Sequence, residues 1–493
     1  MTTWIPQFER TGAPIYVEIA DAMQRDIDSG TLKPGEKLPP QRNLAFDIGV
    51  TIGTIGRAYA LARQRGLVTG EVGRGTYIRK GGGIGGVFGT APSQSTSIPG
   101  YAKTEREALT ESGLGSDLVE RSGTSPAPGK LRLDSTSAPE VGQAAIITGL
   151  LADIMADFPD RTTDYIRSLK PEWQQAGQQW LSCPHWTPDI NGIVPTMGVH
   201  AGMMAVIAAQ TAPGDRIAFE SLTYASLARS ANLIGRQAIA VPMAEHGMDV
   251  DAFEHVCANQ HPKLVVIIPT LQNPTTAIMP ADQRERFAAI ARKHNVRIIE
   301  DNIYGAHVDG APPPIASFAP DITFHLSGMS KAVAAGIRAG WVACPTGFTG
   351  SIPVAHKMIT GGMPFLLAET AARLVLSGAA EAITTQVRSE ISSRLDIVKQ
   401  VFAGHDFMSH PSAPFIWLKL PEPWRASLFV AAARDAGMLV DGDDEFRFSQ
   451  AQESLHRVRI AFSTLPGRGN LETALTRLRV LLDAGPSGHD TYA

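Results

Sequence analysis

HLSGMSKAVAAGIRAGW, residues 325–341, is a β-rich run followed by Ser330-Lys331, with Arg338 seven residues beyond the lysine. A lysine after a strand is ordinarily a solvated surface residue, so this stretch acquires meaning only from its neighbours. In VRIIEDNIYG (296–305), Asp301 closes an apolar run and Tyr304 follows by three. A carboxylate at the C-terminal edge of a parallel strand lies where α/β sheets bind ligands. IIPTLQNPTTAIMP (267–280) sets an Asn273-Pro274 turn after a third apolar run, and PTMGVHAGMMAVI (195–207) sets a Gly198 turn before a helix. The first amides of such a helix can cradle an anion.

Around these segments the chain alternates. The β-rich runs KLVVIIPT, VRIIED, ITFHLS and GWVACP are separated by helical stretches such as ADQRERFAAIARKH. That alternation predicts a largely parallel α/β sheet from residue 131 onward. HRVRIAFS and LETALTRLRVLLDA, near the C-terminus, mix strand and helix and suit a smaller α+β lobe. With 493 residues, 44% hydrophobic and 19% charged, the chain can bury substantial cores. Its three cysteines (Cys183, Cys257, Cys344) are far apart and fit neither a disulfide framework nor a CxxC metal site. No metal is expected. No run of about 18 apolar residues is present and the start, MTTWIPQFER, has no signal-peptide pattern, so a cytoplasmic, non-membrane protein is expected.

In this order and spacing, the four segments resemble the fold type I aminotransferases that bind pyridoxal 5′-phosphate, over roughly residues 131–480. The resemblance implies a role for each residue. Lys331 would form the Schiff base, which requires an ammonium that deprotonates easily. Asp301 would pair with the protonated pyridine nitrogen. Asn273 and Tyr304 would hydrogen-bond the ring's phenolate oxygen. Ser330, Arg338 and the amides of Val199 and His200 would hold the phosphate. Tyr224, in ESLTY, matches the aromatic that stacks on the ring. Tyr165, in TTDYIRS, matches a tyrosine reaching the neighbouring subunit's phosphate, and Arg459, in HRVRIAFS, an arginine gripping a substrate carboxylate. Two departures stand out: Gly328 occupies a position where the family usually has a hydroxyl residue, and His200 one where it often has Gln or Ser.

The first 80 residues read differently. They hold 11 Lys/Arg against 8 Asp/Glu, while the other 413 hold 33 against 40, and residues 42–80 hold 7 against 2. Charge alone does not distinguish a nucleic-acid module from a small domain with one basic face. The element pattern does. PIYVEIADAMQRDIDS (14–29) places Ile15, Ile19, Met23 and Ile27 on one helical face. A Pro/Gly turn and a short helix from about Pro40 to Ile48 follow. Thr51 can cap a third helix, TIGTIGRAYALARQRG, whose Ile52, Ile55, Tyr59 and Ala62 share a face opposite Gly53, Thr54 and Arg57. GLVTGEVGRGTYIRK (66–80) then alternates like a hairpin around Gly73-Arg74-Gly75. This is a winged helix-turn-helix, and over residues 14–79 it closely resembles the GntR-type DNA-binding domain.

That resemblance implies Arg42, Thr51, Thr54, Arg57 and Arg74 as the DNA contacts. The family often begins its recognition helix with Ser-Arg, where this chain has Thr51-Ile52. Gly53 and Gly56 each lower helix propensity by about 1 kcal/mol relative to Ala. Between the two regions, 14 of residues 81–100 are Gly, Pro, Ser or Thr, and the expected organisation is a winged helix (1–80), a flexible linker (81–130) and an aminotransferase-like domain (131–485). Such a fusion resembles the MocR subfamily of bacterial transcription regulators. It implies a homodimer that binds double-stranded DNA through paired half-sites and senses an amino compound by exchange at Lys331. A working aminotransferase with an incidental N-terminal module is the alternative.

Overall fold

The computed structural model describes residues 4–7, 15–65, 67–71, 75–78, 130–166, 168–448 and 454–486. The chain divides into two compact units, Met1–Arg106 and Glu107–Ala493. Apart from Lys130, the expected linker lies outside the described residues.

In the first unit, α1 (Ile15–Asp28), α2 (Gln41–Ile48) and α3 (Ile52–Gln64) precede an antiparallel pair, β1 (Val68–Glu71) and β2 (Gly75–Ile78). The apolar faces predicted by spacing are the ones that meet: Ile19, Met23, Ile55, Tyr59 and Ala62 are buried together with Leu38, Leu44 and Val68. Gly49 ends α2 at φ 71°, a left-handed position that suits glycine. Two residues later Thr51 caps α3, its Oγ1 accepting the Thr54 N–H at 3.2 Å. The Tyr59 hydroxyl donates to the Pro39 carbonyl at 2.8 Å, tying α3 to the turn before α2. Segment 35–38 pairs with β2 through Gly35 N to Ile78 O (2.7 Å) and Leu38 N to Thr76 O (2.8 Å). The wing is thereby braced by a third extended segment.

The second unit contains a seven-stranded sheet of β3 (Ile193–Thr196), β4 (Arg216–Glu220), β5 (Gln237–Val241), β6 (Leu264–Ile267), β7 (Arg297–Asp301), β8 (Thr323–Gly328) and β9 (Gly340–Ala343). The spatial order is β3-β9-β8-β7-β6-β4-β5. All neighbours are parallel except that β9 runs antiparallel to both β8 and β3. Outside the edge strand β5, nearly every residue of these strands is buried, consistent with a sheet covered on both faces.

The reversed strand positions the site. Gly328, at the end of β8, pairs with Gly340, at the start of β9, which pairs in turn with Thr196, at the end of β3. The segment leading into β9, with Arg338, and the helix following β3, α4 (Gly198–Gln210), thus reach the same sheet edge as the loops after β6, β7 and β8. Alongside lies the smaller lobe. Its antiparallel sheet of β10 (Phe407–Met408), β11 (Phe415–Lys419), β12 (Asp441–Gly442) and β13 (Arg457–Ala461) has the order β10-β11-β13-β12. Among the described residues, no helix is long and apolar enough to cross a membrane.

Candidate functional site

At that shared edge is a cavity of about 380 Å³. Of the residues singled out from the sequence, Val199, His200, Tyr224, Asn273, Asp301, Tyr304, Ser330, Lys331, Arg338 and Arg459 all line it. Tyr165 does not; it is 85% exposed. These residues come from the end of β7, the middle of β13, the start of α4 and four intervening loops, which explains how residues so distant in sequence meet.

The electrostatics suit proton and carbonyl chemistry. Desolvation in the cavity, helped by the Arg459 charge and opposed by Asp301, lowers the Lys331 ammonium from its usual 10.5 to about 8. Desolvation raises Asp301 to about 6, against the Ile303 N–H it accepts at 3.0 Å and the charges of His325 and Lys331. Burial raises the phenols of Tyr304 and Tyr224, keeping both as hydrogen-bond donors at neutral pH. Burial, and then the Arg338 charge, lowers His200 and favours its neutral ring.

Several supports hold these groups. The Tyr304 hydroxyl lies 3.0 Å from Thr136 Oγ1, a residue of the segment STSAPE with no recognisable signal of its own. The Asn273 loop is fixed from below by Arg284, which is buried and donates to the carbonyls of Pro269 (2.7 Å), Met279 (2.8 Å), Pro313 (3.2 Å) and Pro312 (3.3 Å) and to Thr270 Oγ1 (2.9 Å). Beneath Asp301, Glu300 accepts the backbone N–H groups of Ile315 and Ala316. The Trp186 ring, from the stretch CPHWTPDINGI, packs edge-on against His325 at 4.9 Å.

Arg459 occupies the expected cavity, yet three of its five N–H donors are engaged. Nη1 donates to Asn273 Oδ1 at 2.9 Å, while Nη2 donates to Asp441 Oδ2 at 2.5 Å and to the Asp134 carbonyl at 2.8 Å. The guanidinium also stacks against Phe446 and Phe415. The resemblance assigns this arginine to an incoming carboxylate; the structure gives it an internal one, Asp441.

The cavity fits pyridoxal phosphate on its own terms. Among the described residues, neither the Lys331 ammonium nor the Arg338 guanidinium hydrogen-bonds another residue, and His200 Nδ1 is buried without a partner. Gly198, at φ 79°, turns the chain so that the unpaired first amides of α4 open onto the cavity. Arg338 is itself left-handed at φ 49°. Gly328 has a steric cause: a Cβ there would sit 2.7 Å from the Ala339 carbonyl, so the hydroxyl side chain usual in the family has no room.

In the first unit, Thr54 is half-buried, while Thr51 and Arg57 are exposed on the outer side of α3. Arg74 and the Arg42 side chain lie outside the described residues.

A family profile for aminotransferase class I and II matches residues 135–478, and one for bacterial regulatory proteins, gntR family, matches residues 15–78. The chain is 27% identical over 482 residues to the HTH-type transcriptional regulator YdeF of Bacillus subtilis (strain 168), covering 98% of this chain and 97% of that one. It is 24% identical over 388 residues to the HTH-type pyridoxine biosynthesis transcriptional regulator PdxR of Corynebacterium glutamicum, covering 78% of each. Among solved structures, the kynurenine aminotransferase of Pyrococcus horikoshii superposes with a TM-score of 0.65 at 21% identity, over 80% of this chain and 96% of that one. At that identity the likeness concerns the fold.

Proposed function

The chain belongs to the aminotransferase class I and II family and carries a gntR-type winged helix ahead of that domain, and from this premise we propose that it is a MocR-type, pyridoxal-phosphate-dependent transcriptional regulator. The observation that carries the reading is the convergence of Lys331, Asp301, Asn273, Tyr304 and Arg338 on one cavity, in a chain that also begins with a helix-turn-helix and wing. In this reading residues 1–80 bind DNA, 81–130 connect, and 131–485 sense an amino compound.

Bound pyridoxal phosphate supplies an aldehyde that condenses with primary amines and a pyridine ring that withdraws electrons. The chain's own groups do the rest. Lys331, at about 8, releases its proton near neutral pH and leaves Nζ nucleophilic. The Asp301 carboxylate holds a proton on the ring nitrogen by pairing with it. Arg338, Ser330 and the amides of Val199 and His200 bind the phosphate. Asn273 and Tyr304 donate toward the ring oxygen, and Tyr224 covers a ring face. Arg42, Thr51, Thr54, Arg57 and Arg74 meet the DNA.

An effector shifts DNA binding only if it favours one arrangement of the regulator over another. A homodimer supplies such arrangements and two winged helices for paired half-sites. The exposure of Tyr165 is what a residue serving the neighbouring subunit's phosphate requires. The cytoplasm, where promoter DNA and the cofactor meet, is its place of action.

The test uses the purified full chain. Cofactor absorbance, a mobility shift of promoter DNA, and a change in that shift on adding amino compounds are expected together. Sustained conversion of an amino donor to its keto product, with no DNA shift under any condition, would instead assign an aminotransferase.

A further inference from the structure

Arg459 stands on β13 directly opposite Asp441 on β12. Cross-strand partners of this kind hold their Cβ atoms about 5 Å apart, so backbone pairing keeps the Asp441 carboxylate beside the guanidinium. A guanidinium grips a carboxylate in parallel through two adjacent nitrogens, either the two Nη or Nε with Nη2. Both forks use Nη2. Its two hydrogens are already donated, to Asp441 Oδ2 and the Asp134 carbonyl. What is left is Nε–H, which is buried and unpartnered among the described residues, and one Nη1 hydrogen; these two do not lie side by side. An incoming carboxylate would thus find single-point donors at best, and would meet the Asp441 charge at close range.

The charge around it points the same way. This end of the cavity sets Arg132 and Arg459 against Asp134, Asp441 and Glu445. Asp134 is paired with Arg132 at 2.9 Å and Glu445 faces Arg229 at 3.7 Å. Among the described residues both arginines at this end are thus paired with acids, and the five side chains named here sum to one net negative charge.

We propose that Asp441 makes this cavity selective for primary amines that carry no carboxylate on the amine-bearing carbon, over α-amino acids. The proposal rests on reading the cavity as the pyridoxal-phosphate site. Asp441 acts by occupying Arg459, so it is a specificity residue and not a catalytic one.

The experiment titrates the cofactor-loaded full chain with L-alanine, L-alaninamide and ethylamine, following cofactor absorbance and heat of binding. Each compound is normalised to its reaction with free pyridoxal phosphate. Like charges brought together in a buried site cost several kcal/mol, so alaninamide and ethylamine should act at concentrations at least roughly tenfold below alanine. Asp441→Asn should shrink that gap by at least roughly tenfold, chiefly by admitting alanine. Alanine matching alaninamide on the unmodified chain would overturn the proposal, as would an unchanged gap in Asp441→Asn. If the variant does not hold cofactor, the three-compound comparison on the unmodified chain decides alone. Borohydride reduction and peptide mapping on the same sample keep the two readings apart. A pyridoxyl label on Lys331 with the wrong selectivity overturns the role of Asp441 only; no label on Lys331 overturns the cofactor reading beneath it.

Discussion

Nδ1 of His325 lies 2.8 Å from Oε2 of Glu300 across the parallel pair β7–β8, with both side chains sealed from solvent. Although burial opposes it, the imidazole beside Glu300 holds that carboxyl below the usual range. Successive side chains on a strand alternate faces. Glu300 therefore turns away from the cavity, and Asp301 turns into it without such a partner. Two adjacent carboxyls are pushed in opposite directions by which face they occupy.

That contrast gives a pH test. In the cofactor-free chain Asp301 has a folded pKa of about 6, above its unfolded value of 3.8. A group raised on folding contributes stability that is complete below 3.8 and is lost as pH rises through about 6. The loss is on the order of 3 kcal/mol. Asp301→Asn removes this dependence. Without cofactor, the variant's melting temperature relative to the unmodified chain should climb between pH 5 and pH 7. With cofactor the order should reverse, because the variant cannot pair with the ring nitrogen. A difference that stays flat with pH would argue against the raised carboxyl.

Lys331 gives a second. With its ammonium at about 8, the rate at which the cofactor-free chain takes up pyridoxal phosphate should rise with pH to a midpoint about 8. A stopped-flow absorbance series between pH 6 and pH 10 would read it. A midpoint near the ordinary lysine value of 10.5 would show that the cavity does not depress this group. Lys331→Ala should abolish borohydride labelling while leaving DNA binding by the first unit intact.

Gly53 offers a test on the recognition helix. A Cβ there would meet Thr51 Oγ1 at 3.8 Å, an ordinary contact, and the residue is exposed within α3. Gly53→Ala should stabilise the helix by about 1 kcal/mol, seen as about fivefold greater hydrogen-exchange protection of α3 amides. If promoter affinity falls at the same time, Gly53 is retained for close approach to DNA.

Arg57, exposed on the outer face of α3, tests the contact assignment itself. Arg57→Ala should weaken promoter binding and reduce the slope of log affinity against log salt by about one per monomer, while cofactor absorbance stays unchanged. An unaltered slope would remove Arg57 from the interface.

The winged helix was legible because its turns and caps are local: Gly49, Thr51 and the period of Ile55, Tyr59 and Ala62 are all read within a few residues. The cavity was legible where a residue follows a strand end, as with Lys331, Asp301 and Asn273. The direction of β9 was not, since GWVACP has the same composition either way; it is set by pairing with Gly328 and Thr196. Nor was Asp441. In VDGDDEF it resembles any surface acid, and only the register opposite Arg459 brings it into the site. Thr136 was hidden for the same reason, its partner Tyr304 being 168 residues away.

The staple formed by Arg284 bears on heredity as well as on geometry. Five acceptors from two loops depend on one guanidinium that never touches the cavity. If the cavity senses an effector as proposed, a genetic selection for chains deaf to it would return substitutions at this position beside those at Lys331. A map of such alleles drawn on the sequence alone would place a regulatory lesion in the first turn of an unremarkable helix, Ala281–Lys293.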